Sequence, residues 1–238
     1  MASQQQIFDS AGEMTADQEA KLSERLASAS DATIRAYTKT QVNGMMKQLR
    51  GMLETPEYPG VHNHVSPPGS PALLSWRVHF LPWIGHRTLY DEFHLQESWD
   101  SPHNLTLLKK IPPVYKLWDD DNSTTNTRLL AVDGSDTLGT AGRLRAMHAI
   151  SDPESETIAI VVVSNELAVP WTQPIDFTLR ADLFTRQMQQ IGRHEFVFTT
   201  VQGAALTFPT KGQFSTFEAL ATIGGGEVNA VDAMIKDK

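Results

Sequence analysis

Residues 73–104 read LLSWRVHFLPWIGHRTLYDEFHLQESWDSPHN and hold three of the five tryptophans of this 238-residue chain. The stretch closes on the run Trp-Asp-Ser-Pro-His-Asn. A buried tryptophan usually anchors a core, where its indole N–H needs one hydrogen-bond partner. We therefore expect Trp76, Trp99 and Trp171 to pack inside the fold. The sequence does not decide whether Trp83 and Trp118 lie in the core or at the surface.

Local patterns predict the structure of this stretch. Apolar and polar residues alternate imperfectly over Leu73–Phe80, which favours a strand, and His86–Phe93 is typical of a short helix. Ser101 as N-cap, with Pro102 at the first helical position, predicts a second helix. Its three leucines, at positions 105, 107 and 108, are expected to face inward.

A long helical region precedes this stretch. One apolar helix face is formed by Val42, Met45, Met46, Leu49, Met52 and Leu53. Ser28–Thr33 leaves open whether the region is one helix or two, and Pro56 ends it. We expect residues 1–56 to form an N-terminal helical arm on a globular domain at residues 57–238.

Strand patterns follow later in the chain. They cover Arg128–Val132, Leu144–Ile150, Thr157–Ser164 and Glu195–Phe208, the last with a hairpin turn at Gln202-Gly203. A further helix is expected at Phe214–Ile223, before three glycines. Helices first and strands later predict an α+β fold, with the N-terminal helix, or two helices, packed on an antiparallel sheet and with short helices inserted.

Composition excludes several classes of function. The net charge is −8 and is spread along the chain, so no basic face is available for nucleic acid. The chain has no cysteine, which excludes disulfides, thiolate catalysis and cysteine-ligated metals. Its longest strongly apolar run, Ile158–Val163, is far shorter than a membrane span, and residues 1–14 lack the features of a signal peptide. For the chain as given we expect the cytoplasm.

Two groups of residues are candidate metal ligands. His62 and His64 would point to the same side of an extended segment, but the sequence nominates no third ligand. Asp119 and Asp121 lie in an oxygen-rich run that lacks the glycine and glutamate of a calcium loop. Solvated loops are the favoured interpretation of both groups, and we expect no cofactor.

A hydrolytic triad is also a weak prediction here. Asp100, Ser101 and His103 are the residue types required, but residues so close in sequence rarely reach triad geometry. The G-x-S-x-G nucleophile turn is absent from the sequence. A helix cap formed by Asp100 or Ser101, with Trp99 packed beneath it, is the favoured interpretation.

Three segments, Leu74–Val78, Trp99–Asn104 and Val169–Thr172, resemble the signature SWRVxxLP…WDSPHN…VPWTxPxD of a bacterial prepilin-like (pseudopilin G-like) family of unknown function. The resemblance extends in the correct order over roughly residues 45–230. It implies a pilin-like fold and points to the cell envelope. The signature residues that it marks, as structural or binding residues, are Trp76, Arg77, Trp99, Asp100, His103, Asn104 and Trp171.

The chain departs from that pattern in three places. It lacks a prepilin leader and its apolar helix, so we do not expect it to assemble filaments. The DGxSNTI segment is replaced by Asp152–Ile158, and the DGSV hairpin by Gln202–Ala205. Any ion or ligand bound by the family's carboxylates in those segments is expected to bind more weakly here.

These observations favour a non-enzymatic, pseudopilin-like domain. It would act as a structural or interaction module, with a protein partner or through self-association. Two alternatives stay open. One is a carbohydrate- or peptide-binding module that uses exposed tryptophans. The other is a metal-dependent hydrolase built on the histidine-rich stretch from His62 to His103.

Overall fold

The computed structural model describes residues 21, 24, 29–55, 72–121, 123–190, 196–209, 211–226, 231 and 234. Five helices of this part of the chain are α1 (Asp31–Glu54), α2 (Trp76–Phe80), α3 (Arg87–Glu92), α4 (Ala181–Gln189) and α5 (Phe214–Ala221). The strands are β1 (Asn126–Thr127), β2 (Leu129–Asp133), β3 (Gly139–Thr140), β4 (Arg143–Leu144), β5 (Ile158–Val162), β6 (Val169–Pro170), β7 (Phe177–Thr178), β8 (Phe196–Thr200) and β9 (Ala205–Phe208). The predicted α+β class is confirmed.

The main sheet has the strand order β4-β3-β2-β5-β8-β9, and β7 also pairs with β2, outside this order. Most pairs are antiparallel, as predicted, but β2 runs parallel to both β3 and β7. The sheet is therefore mixed. Every residue of β5 and β8 is buried, because helices cover both faces of the sheet. A separate pair, β1 and β6, lies outside the main sheet.

Helix α1 begins after a break in the helical region. Ser30 has extended backbone angles, and its Oγ accepts a hydrogen bond from Thr33 N at 3.3 Å, as an N-cap does. The chain is also helical at Lys21 and Glu24, before this break. Of the two alternatives left by the sequence, the structure shows two helices.

The apolar face predicted for α1 is confirmed. Each of its six residues, from Val42 to Leu53, is at most 2% exposed. These residues belong to a core cluster on one face of the main sheet, where α1 packs mainly across β8 and β9. The domain itself therefore covers the stripe, and no second subunit is needed to bury it.

A second core cluster lies on the opposite face of the sheet, beneath α4 and α5. This cluster is rich in phenylalanine. Side chains of strand β8 alternate between the two faces of the sheet, so Val197 lies in the first cluster while Phe196 and Phe198 lie in the second. The hairpin from β8 to β9 turns where predicted, with Gly203 at a φ of 99°. The positive φ explains why glycine occupies this position.

Two of the predicted strands are wrong. Trp76–Phe80 is a helix, because Ser75 caps it and the two aromatic ends, four residues apart, are both buried. The strand expected at Leu144–Ile150 stops at Leu144, and a 3₁₀ helix follows at Met147–Ala149.

The inward position predicted for the three leucines after Ser101 is only partly correct. The helix there is a 3₁₀ helix at Asn104–Lys110, and its three residues per turn place Asn104 and Leu107 on the same inner side. Leu105 consequently faces outward and is 43% exposed. The expected inward position of Leu105 is therefore wrong.

Candidate functional site

Two signature residues, Trp76 and Arg77, meet at a buried ion pair. Arg77, at the start of α2, lies 2.6 Å from the carboxylate of Asp176 (Nη2 to Oδ1), and neither side chain is exposed to solvent. The other guanidinium nitrogens donate to the carbonyl of Leu129 on β2 (Nε, 3.0 Å) and to the hydroxyl of Ser75 (Nη1, 2.6 Å). One arginine thus joins α2, the central strand and the segment that leads into β7.

Asp176 Oδ1 collects two further donors. The indole of Trp76 donates at 3.2 Å and the backbone N–H of Ala131 at 3.0 Å. Burial raises the pKa of Asp176, while the charge of Arg77 opposes that rise. The guanidinium carbon of Arg77 also lies 4.7 Å from the centroid of the Trp76 ring, as in a cation–π contact.

An aromatic layer formed by Tyr115 and Trp171 covers one side of the Arg77–Asp176 ion pair. The Tyr115 hydroxyl donates to the carbonyl of Arg77 at 2.7 Å, and its ring stacks on Trp171 with centroids 5.7 Å apart. The Trp171 indole donates to Leu108 O at 3.0 Å. Burial raises the pKa of Tyr115 well above its usual value, so this hydroxyl keeps its proton. The layer provides structural contacts and exposes no reactive group.

Asn104 organises the second signature segment. Its side chain is buried, its Oδ1 accepts from His94 N at 3.1 Å, and its Nδ2 donates to the carbonyls of His94 (3.1 Å) and Ser98 (3.0 Å). One amide therefore satisfies the backbone of the preceding loop, which explains an asparagine at a buried position. Trp99 is half-buried, and its backbone N–H donates to Leu73 O at 2.8 Å.

The candidate triad residues are each bonded elsewhere. Asp100 accepts from Ser98 Oγ, Ser101 Oγ accepts from Asn104 N, and His103 Nε2 donates to Glu92 O at 2.8 Å. These bonds hold a loop, and the three side chains do not form the serine–histidine–aspartate chain that catalysis requires.

Two histidines stack beside this loop. The rings of His94 and His103 are parallel with centroids 3.5 Å apart, and His94 Nδ1 lies 2.9 Å from Glu97 Oε1. The pKa of Glu97 is lowered, first by a hydrogen bond from Ser101 and then by His94. The His94–Glu97 pair is exposed to solvent, and the flat stack prevents both rings from directing nitrogens at one metal ion.

The acidic loop faces a cation. Asp119 and Asp120 both pair with Arg128, the latter at 2.9 Å from Nε, and Asp121 accepts from Ser123 N at 2.7 Å. Burial raises the pKa of Asp120. The carboxylates proposed for calcium are therefore already bonded to protein groups.

The other metal candidates, His62 and His64, lie outside the described residues. Within the described ranges, no three histidine, aspartate or glutamate side chains are grouped to hold a metal ion. The two candidate metal sites stay weak predictions.

Asp152 lies in Asp152–Ile158, the segment that replaces the family's DGxSNTI motif, and its side chain bonds to the backbone of another loop. Its carboxylate accepts from Gly225 N at 2.9 Å and from Gly226 N at 2.8 Å, and it anchors the glycine loop that follows α5. A carboxylate held in this way has fewer lone pairs free for an ion. Sequence reasoning predicted none of the contacts of Asp152, Asp176, Tyr115 or Arg128, because each of these residues has partners that are distant in sequence or lie in another loop.

The three tryptophans predicted to lie in the core are buried or partly buried. Trp76 and Trp171 are fully buried, and Trp99 and Trp118 are partly buried. All five tryptophans lie within the described residues, and Trp83, at 40%, is the exposed one. A single exposed indole is a small platform for a sugar, so the arrangement gives the carbohydrate interpretation little support.

A family model described as "Protein of unknown function (DUF1559)" matches residues 29–160, more than half of the chain. The chain belongs to the DUF1559 family. No curated protein and no solved structure matches it.

The DUF1559 match includes Trp76, Arg77, Asn104 and Tyr115, whereas Asp176 lies beyond it. The ion pair therefore joins the matched segment to the C-terminal part of the domain. Across the described part of this DUF1559 chain, no helix combines the length and the apolarity needed to cross a membrane.

Proposed function

We propose that this DUF1559 domain is a non-enzymatic, pseudopilin-like structural or protein-interaction module. The observation that carries the proposal is the burial of four of the seven signature residues. Trp76, Arg77, Asn104 and Trp171 are buried, and their side chains bond to backbone carbonyls or to the carboxylate of Asp176. Residues that serve catalysis need access to a substrate, and these four have none.

The architecture supports the pseudopilin-like part of the proposal. A 24-residue helix, α1, precedes the sheet and packs across β8 and β9. This agrees with the helix-on-sheet arrangement that the signature resemblance implies. The short helices α2 and α3, which carry much of the signature, are inserted between that helix and the first strand.

The partner face must be sought outside the buried stripe of α1. Large exposed apolar residues of the described chain are Trp83, Leu105 and Ile175, and single residues of this kind are ordinary at a protein surface. We propose a protein partner or self-association, through a face that these residues alone do not define.

The test is to measure the mass of the full chain by light scattering over a wide concentration range, together with zinc and calcium content and hydrolysis of ester and phosphoester substrates. We expect reversible self-association, or a stable complex with a co-expressed protein, and no turnover. Hydrolysis that is lost in His103→Gln but kept in His148→Gln, an exposed histidine distant in sequence, would overturn the proposal. A strictly monomeric chain that binds no protein would also contradict it.

A further inference from the structure

We infer that one ordered water molecule bridges Thr172 Oγ1 and Asp176 Oδ2 inside the signature core. Both atoms are buried, and within the described chain neither has a hydrogen-bond partner. The side chain of Asp176 and the whole of Thr172 are excluded from solvent.

The two carboxylate oxygens of Asp176 differ in the number of hydrogen bonds that they accept. Its Oδ1 accepts from Trp76, Arg77 and Ala131, while its Oδ2 accepts from no protein group. A buried carboxylate oxygen without a donor costs free energy, and internal water is the usual donor to such groups. Since neither the side chain of Asp176 nor that of Thr172 reaches the solvent, we infer that the missing donor is an internal water molecule.

Thr172 supplies the second contact of that water. Its carbonyl accepts from Ser75 N at 3.0 Å, and Ser75 Oγ accepts from Arg77 Nη1, which links Thr172 to the same network as Asp176. An internal water needs two to four polar partners, and a hydroxyl can donate to it or accept from it. Thr172 Oγ1 and Asp176 Oδ2 together meet the lower limit.

The substitution Thr172→Val distinguishes the bridge from a simple unbonded hydroxyl, because valine has the same shape. If water links the two side chains, the change removes one of its partners and raises the unfolding equilibrium constant about tenfold. If the hydroxyl is unbonded, valine leaves stability unchanged or increases it. The matched control is Thr199→Val on β8, whose hydroxyl is also buried without a partner and which we expect not to destabilise the domain.

Urea unfolding measures both variants, and a crystal structure at a resolution that shows water completes the test. We expect density within about 3.2 Å of both Thr172 Oγ1 and Asp176 Oδ2, and its loss in Thr172→Val. A dry site, a water at one atom alone, or a Thr172→Val variant as stable as the wild type would each overturn the inference.

Discussion

The two faces of the main sheet are held together in different ways. On the face covered by α1 and α2, the core contains a buried ion pair whose bonds have fixed directions. On the opposite face, phenylalanines 177, 184, 196, 208 and 217 pack ring against ring with centroids between 5.2 and 6.2 Å. Apolar contacts tolerate a change of shape, whereas a buried charge tolerates no loss of its partner. The two faces should therefore respond differently to mutation.

The largest effect is expected on the polar face. Arg77→Met leaves the carboxylate of Asp176 buried without its cation and should lower the free energy of unfolding by about 3–5 kcal/mol. Urea denaturation followed by circular dichroism measures the loss. The control is the double variant Arg77→Met/Asp176→Leu, which removes both charges and should recover much of that stability. A loss below about 1 kcal/mol in the single variant would show that the pair does not matter.

The comparison also shows what sequence can predict. The α1 stripe and the Gln202-Gly203 turn depend on neighbouring residues, and both were predicted correctly. The ion pair joins residues 99 positions apart, so no local pattern reveals it. The strand predicted over Leu73–Phe80 failed because Ser75 caps a helix there, and a short apolar segment fits either period.

The next effect depends on pH and is confined to the polar face. Burial, aided by the charge of Arg143, lowers the pKa of His79 on α2 from 6.5 to about 4. Between these values the unfolded chain binds a proton that the folded chain does not, so stability falls as the pH falls from 6.5 to about 4. The loss is at most about 3.5 kcal/mol, since the two pKa values differ by about 2.5 units and each unit corresponds to about 1.4 kcal/mol.

Thermal unfolding at several pH values compares the wild type with His79→Gln, which does not titrate. We expect the wild type to lose more stability than the variant over this window. Parallel curves for the two proteins would mean that the imidazole of His79 titrates alike in the folded and unfolded chains.

A smaller effect is expected on the apolar face. Phe217 contacts the rings of Phe184 and Phe196, each with a centroid distance of 5.2 Å. Phe217→Met keeps a large, adaptable apolar side chain and should cost less than about 1.5 kcal/mol. Urea denaturation under the conditions used for Arg77→Met gives the direct comparison. A cost equal to that of Arg77→Met would remove the proposed difference between the faces.

The smallest effect concerns the hairpin between β3 and β4, which supports the polar face because Gly142 O accepts from Trp76 N at 3.1 Å. Both residues of its two-residue loop have positive φ, 50° at Ala141 and 80° at Gly142, as in a type I′ turn. Alanine is disfavoured at such an angle and asparagine is preferred, so Ala141→Asn should stabilise the domain by about 0.5–1 kcal/mol. Thermal unfolding measures the gain. The control, Gly142→Ala, should destabilise, because its Cβ would lie 2.4 Å from Pro174 Cβ. If Ala141→Asn destabilised the domain instead, the strain would not reside in this turn.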